Sequence, residues 1–164
     1  MSTKSSIAAG NIIVGVYNFI VLSHPETWRI IPLPGSSESL SFTSQGKVKW
    51  VTRGIAENGI RTPNGVIGLR IRVWPGLKKA SDFKELNRAF HRRAFKLGGH
   101  EANAYIYIDS GWFKPTNRVL AILTYCNYTN RSLLIEFIGG GEWVDEIISY
   151  ISESECHVEG EETA

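Results

Sequence analysis

Cysteine and histidine are the side chains here with the widest chemical reach, and the chain carries two of the first and four of the second. Cys126 lies in the apolar run RVLAILTYCNYT, and Cys156 sits beside His157 at the end of ISESECH. Three readings stand for the pair. A disulfide would close a loop of about 30 residues and stabilise the fold by about 3–4 kcal/mol in the chain-entropy account. Two buried thiols would act only in packing. A metal or nucleophilic site is the third, but zinc takes three or four protein ligands. Only His157, His24 or His100 could join the sulfurs, and none has a recognised ligand spacing. The structural readings are preferred, so neither a metal nor a cofactor is expected.

The other titratable groups form no catalytic motif. His100 and Glu101 are adjacent in GGHEANAYIYI, and strand neighbours point to opposite faces, so they cannot act as a pair. His100 and His24 read as turn or capping residues. No Gly-x-Ser-x-Gly, phosphate loop, dinucleotide fingerprint or His-Glu-x-x-His occurs. No catalytic residue is assigned. An enzyme built from distant residues stays as an alternative, because such a site leaves no motif.

Charge offers a clearer signal. Lys84, Arg88, Arg92 and Lys96 recur every four residues, with His91 and Arg93 between them. On a helix these form one stripe, either a solvated face or a surface for an anionic partner. Lys78 and Lys79 would extend it, as would Arg70 and Arg72 if their sheet face is open. The net charge is +2, but Glu153, Glu155, Glu159, Glu161 and Glu162 fall in the last dozen residues without a cation, leaving residues 1–152 at +7. That excess suits weak, sequence-independent binding of nucleic acid rather than a dedicated nucleic-acid protein. Among five tryptophans, Trp112 stands apart: with Phe113 it sits in DSGWFKPTN, between Gly111 and Pro115. Trp112 and Phe113 would make a partner-binding loop tip; packing accounts for the other aromatics.

The elements that must position these groups follow from periodicity. Ile12–Leu22 reads as a strand, TWRII as a short second, and SLSF and KVKWVTRGI as strands about Ser44-Gln45-Gly46. VIGLRIRVW alternates, with Ile67, Leu69, Ile71 and Val73 on one face and Arg70 and Arg72 on the other. Phe83, Leu86, Phe90, Ala94 and Leu97 are spaced 3, 4, 4 and 3, which predicts a long amphipathic helix over about 82–97. Asp82 and Glu85 would cap it, and Gly98-Gly99 would end it. HEANAYIYI is a strand, and RVLAILTYCNYT with RSLLIEFIG a central hairpin about Thr129-Asn130. EWVDEIISYI is a closing helix over about 142–153. The expected fold is α+β: one antiparallel sheet with both helices packed on it. Residues 7–157 form a single domain, and 158–164 an acidic disordered tail. The apolar stretch 7–22 is too short to span a bilayer and holds Asn11 and Asn18, so a cytoplasmic protein is expected, with an export or anchor signal as the alternative. A single methionine and a single glutamine hint at a thermophilic source.

This order of elements resembles the PsbP-like fold group. The carrying features are the early strand running into HPETWRIIPLP, GLRIRVWPG before a long helix, GGHEANAYIYI, the TYCNYTNRSLLIEF hairpin and the helix ending in ECH. Together they span about residues 12–157 and also resemble short archaeal proteins. The resemblance implies a binding or assembly role through protein–protein contacts, since members of that group hold larger partners. It assigns no residue a function.

Overall fold

The computed structural model describes residues 2–11, 15–25, 28–32, 39–43, 46–57, 60–61, 68–109, 117–139, 141 and 144–156. The chain begins with seven strands: β1 (Ser2–Asn11), β2 (Gly15–Pro25), β3 (Trp28–Pro32), β4 (Ser39–Thr43), β5 (Gly46–Glu57), β6 (Ile60–Arg61) and β7 (Gly68–Pro75). A 3-10 turn (Ala80–Asp82) and one short helical turn, α1 (Lys84–Asn87), follow. Then come β8 (His91–Leu97), β9 (His100–Asp109), β10 (Asn117–Cys126), β11 (Arg131–Ile138) and the helix α2 (Val144–Ile151). Every pairing is antiparallel. β1 and β2 form their own hairpin; the larger sheet runs β3-β5-β7-β11-β10-β9-β8, with β4 and β6 also paired to β5.

The β10–β11 hairpin is central because its sequence is apolar on both faces, and the pleat sends alternate side chains into two separate cores. Leu120, Ile122, Cys126, Leu133, Ile135 and Phe137 face one side, where Ile20 and Leu22 of β2 and Ile147, Ile148 and Ile151 of α2 cover them. Val119, Ala121, Leu123, Leu134 and Ile138 face the other, covered by Phe83 and Leu86 from the short helical segment. The hairpin turn places Asn130 at φ 52°, a left-handed position that Asn tolerates better than most residues. The strand expected before Leu22 is present as β2, with β1 against it, so residues 7–11 and 15–22 are strand. Among the described residues, no helix is long and apolar enough to cross a membrane.

The expected long helix over 82–97 is not formed. Residues 84–87 make a single turn, and residues 91–97 are the edge strand β8. The helical spacing of Phe83, Leu86, Phe90, Ala94 and Leu97 is a coincidence of two different patterns. Phe83 and Leu86 plug the second core, and Phe90 is 57% exposed. From His91 onward a period of two takes over, with Phe95 and Leu97 inward and Arg92 and Lys96 on the opposite face. Gly98 and Gly99, expected as a helix stop, instead join β8 to β9 with φ of 55° and 85°. Two consecutive positive φ values are what a tight two-residue hairpin demands. Asp82 correspondingly accepts a bond from the Lys79 amide at 2.8 Å and caps no long helix.

The turn also meets the C-terminal segment: the Gly98 amide donates to the Ser152 carbonyl at 2.9 Å. A Cβ on Gly98 would collide with the Ser154 carbonyl oxygen, whereas one on Gly99 would meet open space. Both positions disfavour a side chain through φ, so Gly99→Ala should cost about 1 kcal/mol. Gly98→Ala should cost at least ~1 kcal/mol more, because the Ser152–Ser154 segment must also move. Urea unfolding of the two variants measures the difference.

Candidate anion-binding groove

The strand at 91–97 redistributes the basic residues. With a period of two, Arg92 and Lys96 lie on the face that carries Tyr105 and Glu101, their partners across the β8–β9 pair, and Asn103, which lies opposite Ala94. Arg93 points the other way, to an ion pair with Asp145 of α2. Lys84 and Arg88 are exposed on and just after α1. The stripe expected along one helix is therefore divided among three places. What the fold does assemble is a groove of about 790 Å³ in which Lys78 and Lys79 from the segment after β7 face Arg92 and Lys96 from the sheet edge. Glu101 is the single carboxylate among its described lining residues; Asn103, Tyr125 and Asn127 supply neutral polar groups. Arg92 is steadied by its Nε donating to the Asn103 side-chain oxygen at 3.3 Å. Lys96 lies 4.0 Å from Glu101, both largely exposed, a pairing that water screens and that leaves the ammonium available.

The wall that carries Lys78 and Lys79 is fixed by hydrogen bonds to the central hairpin. Ser132 accepts from the Lys78 amide at 2.8 Å and donates to the Gly76 carbonyl at 2.7 Å, while the Gly76 amide donates to the Asn130 carbonyl at 2.8 Å. Phe83 packs edge-on against Trp74 with ring centres 4.9 Å apart. Beneath it lies a charged network. Glu136, fully buried in the middle of the apolar strand β11, accepts from Arg72 Nε at 3.1 Å and Nη2 at 2.7 Å, and from the Tyr107 hydroxyl. The same Arg72 Nη2 reaches Glu85 of α1 at 2.5 Å, and the guanidinium stacks over Trp74. Burial by itself would lower the proton affinity of Arg72, but Glu136 and Glu85 more than offset it and hold the guanidinium above its ordinary value. Arg72 thus joins β7, β11 and α1 and does not extend the basic surface. The sequence signal for this was a lone acid, Glu136, inside RSLLIEFIG, beside a strand that alternates arginines with aliphatic residues.

Cys126 and Cys156 are brought to disulfide distance, with Cα atoms 6.2 Å apart across 30 residues of sequence. Cys126 lies on the face of Leu120 and Ile122, as its spacing indicates, and both sulfurs are in the core. His100 and Glu101 part as neighbours on a strand should: His100 approaches Cys126, with Nε2 4.0 Å from the sulfur, and Glu101 is exposed. Trp112, Phe113 and His157 lie outside the described residues, as does the acidic tail 158–164. No protein-family model matches the chain, and no curated protein matches it either.

Removing one partner of a buried ion pair leaves the other charge uncompensated. Glu136→Ala should therefore destabilise the protein by about 3–5 kcal/mol. Glu85→Gln removes the more exposed contact and should cost ~1 kcal/mol or less. Chemical denaturation of both variants separates the buried arm of the network from the outer one.

Proposed function

We propose that this chain is a non-enzymatic binding or assembly module that takes an acidic segment of a protein partner in the groove between Lys78–Lys79 and Arg92–Lys96. The observation that carries this reading is the convergence of those four cations, from two separate elements, on one concave surface with a single carboxylate among its described lining residues. Fixed cations lining a concavity raise the local concentration of anionic partners and orient them. The excess positive charge of residues 1–152 acts in the same direction. The resemblance to the PsbP-like group supports a partner-holding role through the GLRIRVWPG strand, the GGHEANAYIYI strand, the TYCNYTNRSLLIEF hairpin and the terminal helix. The long helix expected over 82–97 is not formed. The loop with Trp112 and Phe113 is a second contact surface within this proposal.

Single-stranded nucleic acid is the second reading, because the same cations suit phosphates and Tyr125 offers a ring at the rim. Fluorescence anisotropy with a labelled poly-glutamate peptide and a labelled oligonucleotide compares the two. Reversal of both Arg92 and Lys96 to Glu should abolish peptide binding, while reversal of Lys84 and Arg88 should leave it intact. If the oligonucleotide is the true ligand, the Arg92/Lys96 reversal should reduce the salt slope by roughly 1.4, two contacts at about 0.7 each for a single strand. Equal effects from the two reversals would show that the groove is not the site.

A further inference from the structure

Three soft or borderline donors meet where the C-terminal segment crosses the sheet. The imidazole of His100 and the sulfurs of Cys126 and Cys156 all lie within 4.8 Å of one another. The strand register places the first two together. Thr124 pairs with Ala102, so two residues further on the same face Cys126 comes opposite His100. Cys156 arrives from the segment after α2, and backbone bonds that do not involve sulfur fix its position. Val21 and Glu155 exchange two amide–carbonyl bonds of 2.9 Å each. Gly98 donates to Ser152 at 2.9 Å, and the Ser23 amide donates to the Ser154 hydroxyl at 2.8 Å. The Gly98–Gly99 turn that seats Ser152 is the same turn that begins β9 at His100.

From this geometry we infer a redox-dependent zinc site formed by His100, Cys126 and Cys156. In the oxidised chain the pair closes as a disulfide. A small-molecule dithiol reductant opens it, giving two electrons and two protons to the two sulfurs and leaving as its own cyclic disulfide. Zinc then displaces both thiol protons and binds two thiolates and the neutral imidazole. The charges of the ion and the two thiolates cancel, which suits a site whose sulfurs are fully buried. Zinc–sulfur bonds of about 2.3 Å and zinc–nitrogen bonds of about 2.0 Å separate tetrahedral ligands by roughly 3.3–3.8 Å. The sulfurs therefore need only rotate apart, while the backbone bonds keep Cys156 in place. His100 is half-buried, so a water molecule at its exposed side can take the fourth position. Reoxidation by a small-molecule disulfide passes the two electrons of the thiolates to that disulfide, which leaves as two thiols after taking two protons from water; the Cys126–Cys156 disulfide forms and zinc is expelled.

The full-length chain, reduced with a phosphine and titrated with cobalt(II) as a spectroscopic stand-in, tests this. One cobalt per chain should bind, with a thiolate-to-metal charge-transfer band and the visible bands of tetrahedral coordination, and zinc should displace it. Binding should release two protons and weaken as pH falls. The oxidised chain should show none of these bands. His100→Ala leaves both cysteines, so its fold can be verified in the oxidised form; after reduction it should bind metal more than ~10-fold more weakly, at least the loss typical of a changed outer-shell residue. Circular dichroism follows the fold throughout. Absence of the bands in the reduced chain, folded or unfolded, overturns the proposal, and so do metal binding by the oxidised chain and equal affinity in His100→Ala.

Discussion

A sheet whose middle hairpin is apolar on both faces must be covered twice, and the rest of this structure answers to that constraint. β10 and β11 send one set of side chains toward β2 and α2 and the other toward Phe83 and Leu86. Burying a side chain of this size is worth about 1.5–3 kcal/mol relative to exposure, so neither face can be left to water. The covers differ in kind. One is a strand and a two-turn helix; the other is an irregular segment with a single helical turn. The lighter cover needs an anchor, and the Arg72–Glu136–Glu85 network supplies it by joining the sheet to α1. A charge network of this kind adds little net stability over apolar packing, but it punishes any arrangement that leaves one member unpaired. Its effect is to fix where the cover sits.

Both candidate functional features are consequences of those covers. The groove is lined both by residues 77–81, from the segment that follows β7, and by Arg92 and Lys96 of β8. The three-donor cluster exists because the second cover, after α2, must be fastened back to the sheet, and it is fastened at β2, at the β8–β9 turn and at Cys126. His100 takes part in both places: it borders the groove and it approaches the sulfurs.

Much of the architecture was legible in the residues. The alternation in LRIRVW, the two-faced apolar hairpin at 117–138 and the amphipathic closing helix all form where their periodicity puts them. So does the approach of Cys126 and Cys156, because one lies on a core-facing strand position and the other follows, five residues on, the helix that packs there. The segment 82–97 misled, for a physical reason. Five apolar residues fitted a helical period, yet two Gly residues after Leu97 suit a tight hairpin as well as a helix stop, and alternation from Arg92 to Leu97 suits a strand. Local sequence left that choice open; the exposed edge of β9 decided it, since seven residues of β8 pair there.

The sequence alone determined the side-chain alternation, the turns and the identity of the two central strands, since these depend on neighbours along the chain. Only the tertiary structure decided which cations share a surface, which arginine is consumed inside, and which histidine reaches the cysteines. Those outcomes depend on strand order and on the register of pairing. A shift of one residue in β8 would send Arg92 and Lys96 to the face of Arg93, away from Lys78 and Lys79. Spacing along the chain carries no record of that register; it is set by the backbone hydrogen bonds between strands and by the two cores that the β10–β11 hairpin must bury.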